Sequence, residues 1–189
     1  MVAAGGGGAQ RLVFDTTCLS HFAKADRLDV LSDLMLGRTC FTTSVVMDEI
    51  RRGVGTHPEL EQILTLAWMQ VVEVGETEAR LLAFVEWSER VRAGDRNLGE
   101  ASVLAVAHEF DATAVIDDRA AVHGASRYPV VVHGTLWLLA EIWREGKLTE
   151  AGASAIVDLL HRSGMRLPCD GRLFPAFARL HGLGPHRSR

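Results

Sequence analysis

The stretch ATAVIDDRAAV, residues 112–122, sets the reading of this chain. Thr113, Ala114, Val115 and Ile116 form a short run with no polar alternation, the pattern of a buried strand. Two carboxylates, Asp117 and Asp118, follow at once, and a helix-forming segment then runs to about Ser126. Adjacent like charges repel, so the pair is either a solvated turn or a device for holding something positive.

The same order of strand, acid and helix occurs at RLVFDTTCLSHFAKA (11–25), where Asp15 closes the strand RLVF. Amphipathic RLDVLSDLML (27–36) comes next, with Asp26, Asp29 and Asp33 on a solvated face, then a strand RTCFT (38–42). Ser44 suits an N-cap for the helix VVMDEIRRG (45–53), with Gly53 as its stop. PELEQILTLAWM (58–69) reads as helix and QVVEV (70–74) as strand. Leu81, Leu82, Val85 and Val91 mark a long helix from Glu76 to Arg92. LGEASVLAVAHEF (98–110) is apolar on three sides and reads as a buried helix. A last strand, PVVVH (129–133), precedes a helix from Gly134 to about Glu145. Strands separated by helices imply crossover connections and a mainly parallel sheet covered on both faces, an α/β fold.

The composition agrees. An apolar fraction of 48% and a charged fraction of 23% are those of a globular protein with an ample core. No apolar run approaches about 18 residues, so no membrane span is expected, and MVAAGGGGAQ lacks the pattern of a secretory signal. GGGG precedes the first strand, whereas a phosphate-cradling loop follows one. Cys18, Cys40 and Cys169 are odd in number and set among apolar residues, which points to reduced, buried thiols and a cytoplasmic location. A net charge of −4 argues against coating nucleic acid by bulk electrostatics, although metal-holding acids would contribute such charge themselves. Local basic groups at Arg51 and Arg52, at Arg90, Arg92 and Arg96, and at Arg187 and Arg189 read as solvated faces.

In an open parallel sheet, ligands sit beyond the carboxyl ends of the strands. Asp15, Asp117 and Asp118 follow strands directly, Glu49 lies within two turns of RTCFT, and Glu100 opens a helix with little polar face. Taken singly, Asp15 could be a helix N-cap, and Glu49 and Glu100 could complement helix dipoles. Together they repel unless a cation neutralises them, and an all-oxygen set favours Mg²⁺ or Mn²⁺. Such a site suits phosphodiester hydrolysis. The histidines do not pair at metal-ligand spacings; His21, His108 and His123 fall within helices, and His133 alone could approach the same sheet edge.

LVFDTTCLSHF, FTTSVVMDEIRRG, NLGEASVLAVA and AVIDDRAAV resemble, in order and spacing, the four motifs of PIN-domain ribonucleases, especially the VapC-type toxins and related prokaryotic proteins. The resemblance implies a three-layer α/β/α sandwich over residues 11–148, while the composition of residues 1–10 and 182–189 marks them as loose tails. It implies metal-binding, catalytic roles for Asp15, Glu49, Glu100 and Asp118, with Thr16 as a hydroxyl partner of Asp15. Asp117 would be the ligand's neighbour or a fifth acid. Ile116 stands where the family usually carries a hydroxyl residue, which points to Asp118 as the fourth acid. The implied activity is Mg²⁺- or Mn²⁺-dependent endonucleolytic cleavage of RNA by a cytoplasmic homodimer or larger assembly, silenced by a small antitoxin protein. A catalytically silent PIN-like binding module is the alternative. Residues 149–181 form a helical extension whose apolar Leu159, Leu160, Met165, Leu173, Phe174, Phe177 and Leu180 either cap the core or serve an interface.

Overall fold

The computed structural model describes residues 9–91 and 97–184. Most of both expected tails, with Arg92, Arg96, Arg187 and Arg189, lies outside the described residues. The chain forms a three-layer α/β/α fold around a five-stranded, wholly parallel sheet in the order β3-β2-β1-β4-β5. The strands are β1 (Arg11–Phe14), β2 (Thr39–Thr43), β3 (Met69–Val72), β4 (Thr113–Val115) and β5 (Val131–His133). Between them run α1 (Thr16–Lys24), α2 (Leu28–Leu34), α3 (Ser44–Val54), a 3₁₀ helix (Pro58–Thr65), α4 (Glu78–Arg90), α5 (Leu98–Glu109) and α6 (Arg119–Ala125). The chain continues with α7 (Thr135–Arg144), α8 (Glu150–Arg162) and α9 (Phe174–Leu180).

β1 sits at the centre, so Leu12, Val13 and Phe14 are all fully buried instead of alternating. From β1 the chain winds outward to β2 and β3, then returns to place β4 and β5 on the other side. The strand order therefore reverses between β1 and β4, and a crevice opens beyond their carboxyl ends. Phe14 pairs with Val115, which brings Asp15 level with Ile116. The Asp15 N–H donates to the Val115 carbonyl at 3.2 Å. The first acid and the acid pair are thus neighbours across the switch point.

α5 is buried from Ala101 to Ala107 and packs on β1, β2 and β4, as its lack of a polar stripe requires. Cys18, Cys40 and Cys169 are buried free thiols. No helix among the described residues is long and apolar enough to cross a membrane.

Three local expectations change. Thr43, the last residue of β2, is the N-cap of α3, its Oγ1 accepting the Val46 N–H at 3.2 Å, while Ser44 is already helical. Gly53 does not end α3, which continues to Val54. The segment 58–69 holds only a 3₁₀ helix before Met69 enters β3. The long helix expected over 76–92 forms as α4, with Leu81, Leu82 and Val85 exposed and Trp87 buried.

The C-terminal helices share the domain's hydrophobic core. Ala153, Ile156, Val157 and Leu160 of α8, with Phe174 and Ala178 of α9, are buried in the same cluster as the sheet residues. Trp143 at the end of α7 packs on Phe174 with ring centroids 6.2 Å apart. Leu173 and Leu180 remain exposed.

Candidate active site

Asp15 is both things the sequence allowed. It caps α1, its Oδ1 accepting the Thr16 N–H at 2.6 Å and its Oδ2 the Thr17 N–H at 3.4 Å. It also lies inside a group of acids while only 1% exposed. Burial is the main force pushing its carboxyl up to about 8, and the Glu100 charge adds to it. The two backbone hydrogen bonds oppose that rise, and the Glu49 charge adds a little more.

Glu49 reaches across from α3 and ties the starts of two other helices. Its Oε2 accepts the Thr16 hydroxyl at 2.5 Å, and its Oε1 accepts the Gly99 N–H at 3.2 Å. Residue 99 has to be glycine for this to happen: a Cβ there would stand 2.6 Å from Glu49 Oε2. Beneath the carboxylate, the Thr43 and Ser102 hydroxyls bond at 2.7 Å, and Ser102 donates to the Gly99 carbonyl at 2.6 Å. That buried polar string fixes α3 against α5.

Glu100, the next residue, is half-buried in the first turn of α5. Burial raises its pKa most, its own backbone N–H partly offsets this, and the charges of Glu49 and Asp118 raise it further. Asp118 caps α6, its Oδ1 accepting the Ala121 N–H at 2.8 Å. The electrostatic group thus runs from Asp15 through Glu49 and Glu100 to Asp118.

Asp117 is anchored differently. Its Oδ1 accepts the Thr135 N–H at 2.9 Å and its Oδ2 the Thr135 hydroxyl at 2.6 Å, at the start of α7. Its pKa is raised by burial, against those two hydrogen bonds. The approach is close enough that a Cβ on Gly134 would lie 2.6 Å from Asp117 Oδ1. Asp117 still lines the same open cleft of about 600 Å³ as Glu100 and Asp118.

The other wall of that cleft comes from beyond residue 148. Gly164, Met165 and Arg166, after α8, face Thr17 and His21 of α1, with Arg119 of α6 beside them. His21 bonds through Nδ1 to the Ser163 hydroxyl at 2.9 Å, joining the two walls. Burial lowers its pKa, with Lys24 adding to the effect. The sequence reading missed Arg119, Arg166 and His21 as parts of the site. Arg119 was adjacent to the acid pair, while nothing local marked Arg166. His133 does end at the sheet edge, but its ring stacks on Trp137 with centroids 4.1 Å apart.

None of the five carboxylates has an ion-pair partner among the described residues. A set of oxygen donors in which neighbouring charges raise the pKa of Asp15 and Glu100, and in which no counter-charge stands among the described residues, fits a hard divalent cation. Among the described residues, no three His, Cys, Asp or Glu side chains already stand as a ready-made cage.

A parallel α/β sandwich with acids gathered at its topological switch point defines the class of protein. The sequence matches the family profile of the PIN domain over residues 11–171, and the chain belongs to that family. No curated protein matches it. Among solved structures it is similar to the crystal structure of VapBC2 from Rickettsia felis bound to a DNA fragment from their promoter. The identity is 14% and the TM-score 0.47, over 66% of this chain and 98% of that one.

Proposed function

We propose that this PIN protein is a metal-dependent endoribonuclease and the toxin of a toxin–antitoxin pair. The observation that carries the nuclease reading is Asp15: a buried carboxyl raised to about 8, beside Glu100 and Glu49, with no ion-pair partner among the described residues. Asp15, Glu49, Glu100 and Asp118 would hold Mg²⁺ or Mn²⁺, with Asp117 at the edge of the set. When bound, the ion lowers the pKa of water and offsets charge developing on the phosphate.

The chain's own residues do the rest. The amides of Thr16 and Thr17 and the Thr16 hydroxyl hold Asp15 and Glu49 in place, so little reorganisation accompanies reaction. Arg119 and Arg166 flank the acids and grip non-bridging phosphate oxygens of the RNA strand. Hydrolysis adds water across a P–O bond, so no protein nucleophile is needed.

The toxin role, the antitoxin partner and a cytoplasmic site of action rest on family membership and on the sequence motifs. A homodimer belongs to the same proposal and is supported by the exposed Leu81, Leu82 and Val85 along α4. The test is RNA cleavage in Mn²⁺ by the parent, Asp15→Asn and Glu100→Gln proteins, with Mn²⁺ binding followed by calorimetry. Cleavage and binding lost together in folded variants support the nuclease. A parent that neither binds Mn²⁺ nor cuts RNA is a silent binding module. Growth arrest on expression, relieved by co-expression of a neighbouring small open reading frame, tests the toxin role.

A further inference from the structure

A second cavity, of about 430 Å³, opens directly off the acid cleft. Asp117, Arg119 and Arg166 line both, so the arginines belong to each cavity. The first room is lined by carboxylates. Most residues around the second are apolar or aromatic, among them Leu167 and Pro168 from the extension and two ring pairs, with Asp117, Arg119 and Arg166 adding polar groups. In one pair His133 and Trp137 stack at 4.1 Å with their planes 12° apart. In the other, Phe177 and His181 of the α9 region lie 4.4 Å apart, tilted by 45°. Neither Arg119 nor Arg166 has an ion-pair partner among the described residues.

We propose that this aromatic cavity is a nucleobase subsite, receiving the unstacked base of a nucleotide next to the phosphate held in the acid cleft. The inference rests on the nuclease reading above and adds a place for one base of its RNA. A nucleic-acid strand alternates anion and flat π-system, and the two rooms with arginines common to both present that alternation. The carboxylates would hold a cation for the scissile phosphate, the guanidinium groups suit the backbone between, and the rings suit the base. Unpaired bases can be splayed into such a pocket, whereas paired bases in a duplex cannot. The volume falls in the usual range for a small-ligand pocket. Its distal wall exists because residues 149–183 fold back on the domain, which gives the C-terminal extension a role in selecting substrate.

The experiment is fluorescence anisotropy with a labelled single-stranded RNA octamer in Ca²⁺, which neutralises the acids as a hard cation in place of Mn²⁺, over times too short for cleavage as checked on gels. The parent is titrated with the intact octamer and with a set in which one base at a time is removed. One abasic position should weaken binding about tenfold, the scale of a lost base–aromatic stack. Trp137→Leu and Phe177→Leu should each weaken binding of the intact RNA by a similar factor and lose sensitivity to that abasic position. Circular dichroism checks folding, and the two variants on separate elements guard against one failing to fold. A folded variant whose sensitivity to the abasic position persists overturns the proposal. So does a parent that binds no RNA. Unchanged RNA affinity in both variants would also overturn it and hand the pocket to a protein segment. RNA bound with this pattern but never cut in Mn²⁺ would sink the nuclease reading alone. RNA cut normally with no base-sensitive position would sink the subsite alone.

Discussion

Glu49 occupies the space that a side chain at residue 99 would need. Its Oε1 takes the Gly99 N–H at 3.2 Å, and a Cβ on that residue would sit 2.6 Å from Oε2. The glycine and the following Glu100 therefore act as a unit: one admits an acid from α3, the other supplies an acid from α5.

Gly99→Ala separates stability from activity. Alanine favours a helix by about 1 kcal/mol over glycine, which partly compensates for the clash. The expected outcome is a melting temperature within a few degrees of the parent and RNA cleavage reduced by about tenfold or more as Glu49 is displaced. Cleavage at the parental rate in Gly99→Ala would mean that the placement of Glu49 does not matter to the reaction.

The acid cluster sets a pH dependence. The native carboxyl of Asp15 is raised to about 8 from an ordinary value of 3.8, and Glu100 is raised too. The folded protein thus binds more protons than the unfolded one between those values. Its stability is greatest below about pH 4 from this source and is lost as pH rises through 8. In EDTA the urea midpoint should fall between pH 5 and pH 8. Asp15→Asn should flatten that slope, and Mg²⁺ should raise the midpoint at pH 8 by binding the ionised native state. A midpoint that rises with pH in EDTA would contradict this electrostatic account.

Thr135→Val tests the strap between β4 and α7. It removes the hydroxyl bonded to Asp117 at 2.6 Å and leaves the backbone N–H in place. Thr135 is fully buried, so the loss should destabilise by about 1–3 kcal/mol. Denaturant unfolding measures it; a change below a few tenths would show that Asp117 is held by the backbone alone.

Phe174→Ala asks whether residues 149–181 stand or fall with the rest. Phe174 is wholly buried and packs on Trp143. Truncating it should lower stability by about 3–5 kcal/mol in a single cooperative transition. Two separated transitions would instead make the extension an independent unit.

Much of this was written locally. A central strand buried on both faces shows as an unbroken run, as in RLVF, and a helix without a polar stripe, as in LGEASVLAVAHEF, declares its burial. Both patterns depend on neighbours a few residues apart, and so do the acids that follow them. The misreadings lie at element ends. Thr43 becomes the cap because β2 runs one residue further than its apolar pattern suggests, and Gly53 is passed over because α3 continues to Val54.

The sequence by itself determined an alternating parallel α/β chain with acids at its strand ends, because side-chain periodicity and strand-end chemistry are local. Tertiary structure alone decided how those acids differ. Asp117 and Asp118 are adjacent in the chain, yet the Thr135 N–H and hydroxyl, 18 residues on, take one, while the other caps α6 within the field of Glu100. It also placed Arg166 opposite them, since only the fold brings the turn after α8 back over the carboxyl edge of the sheet.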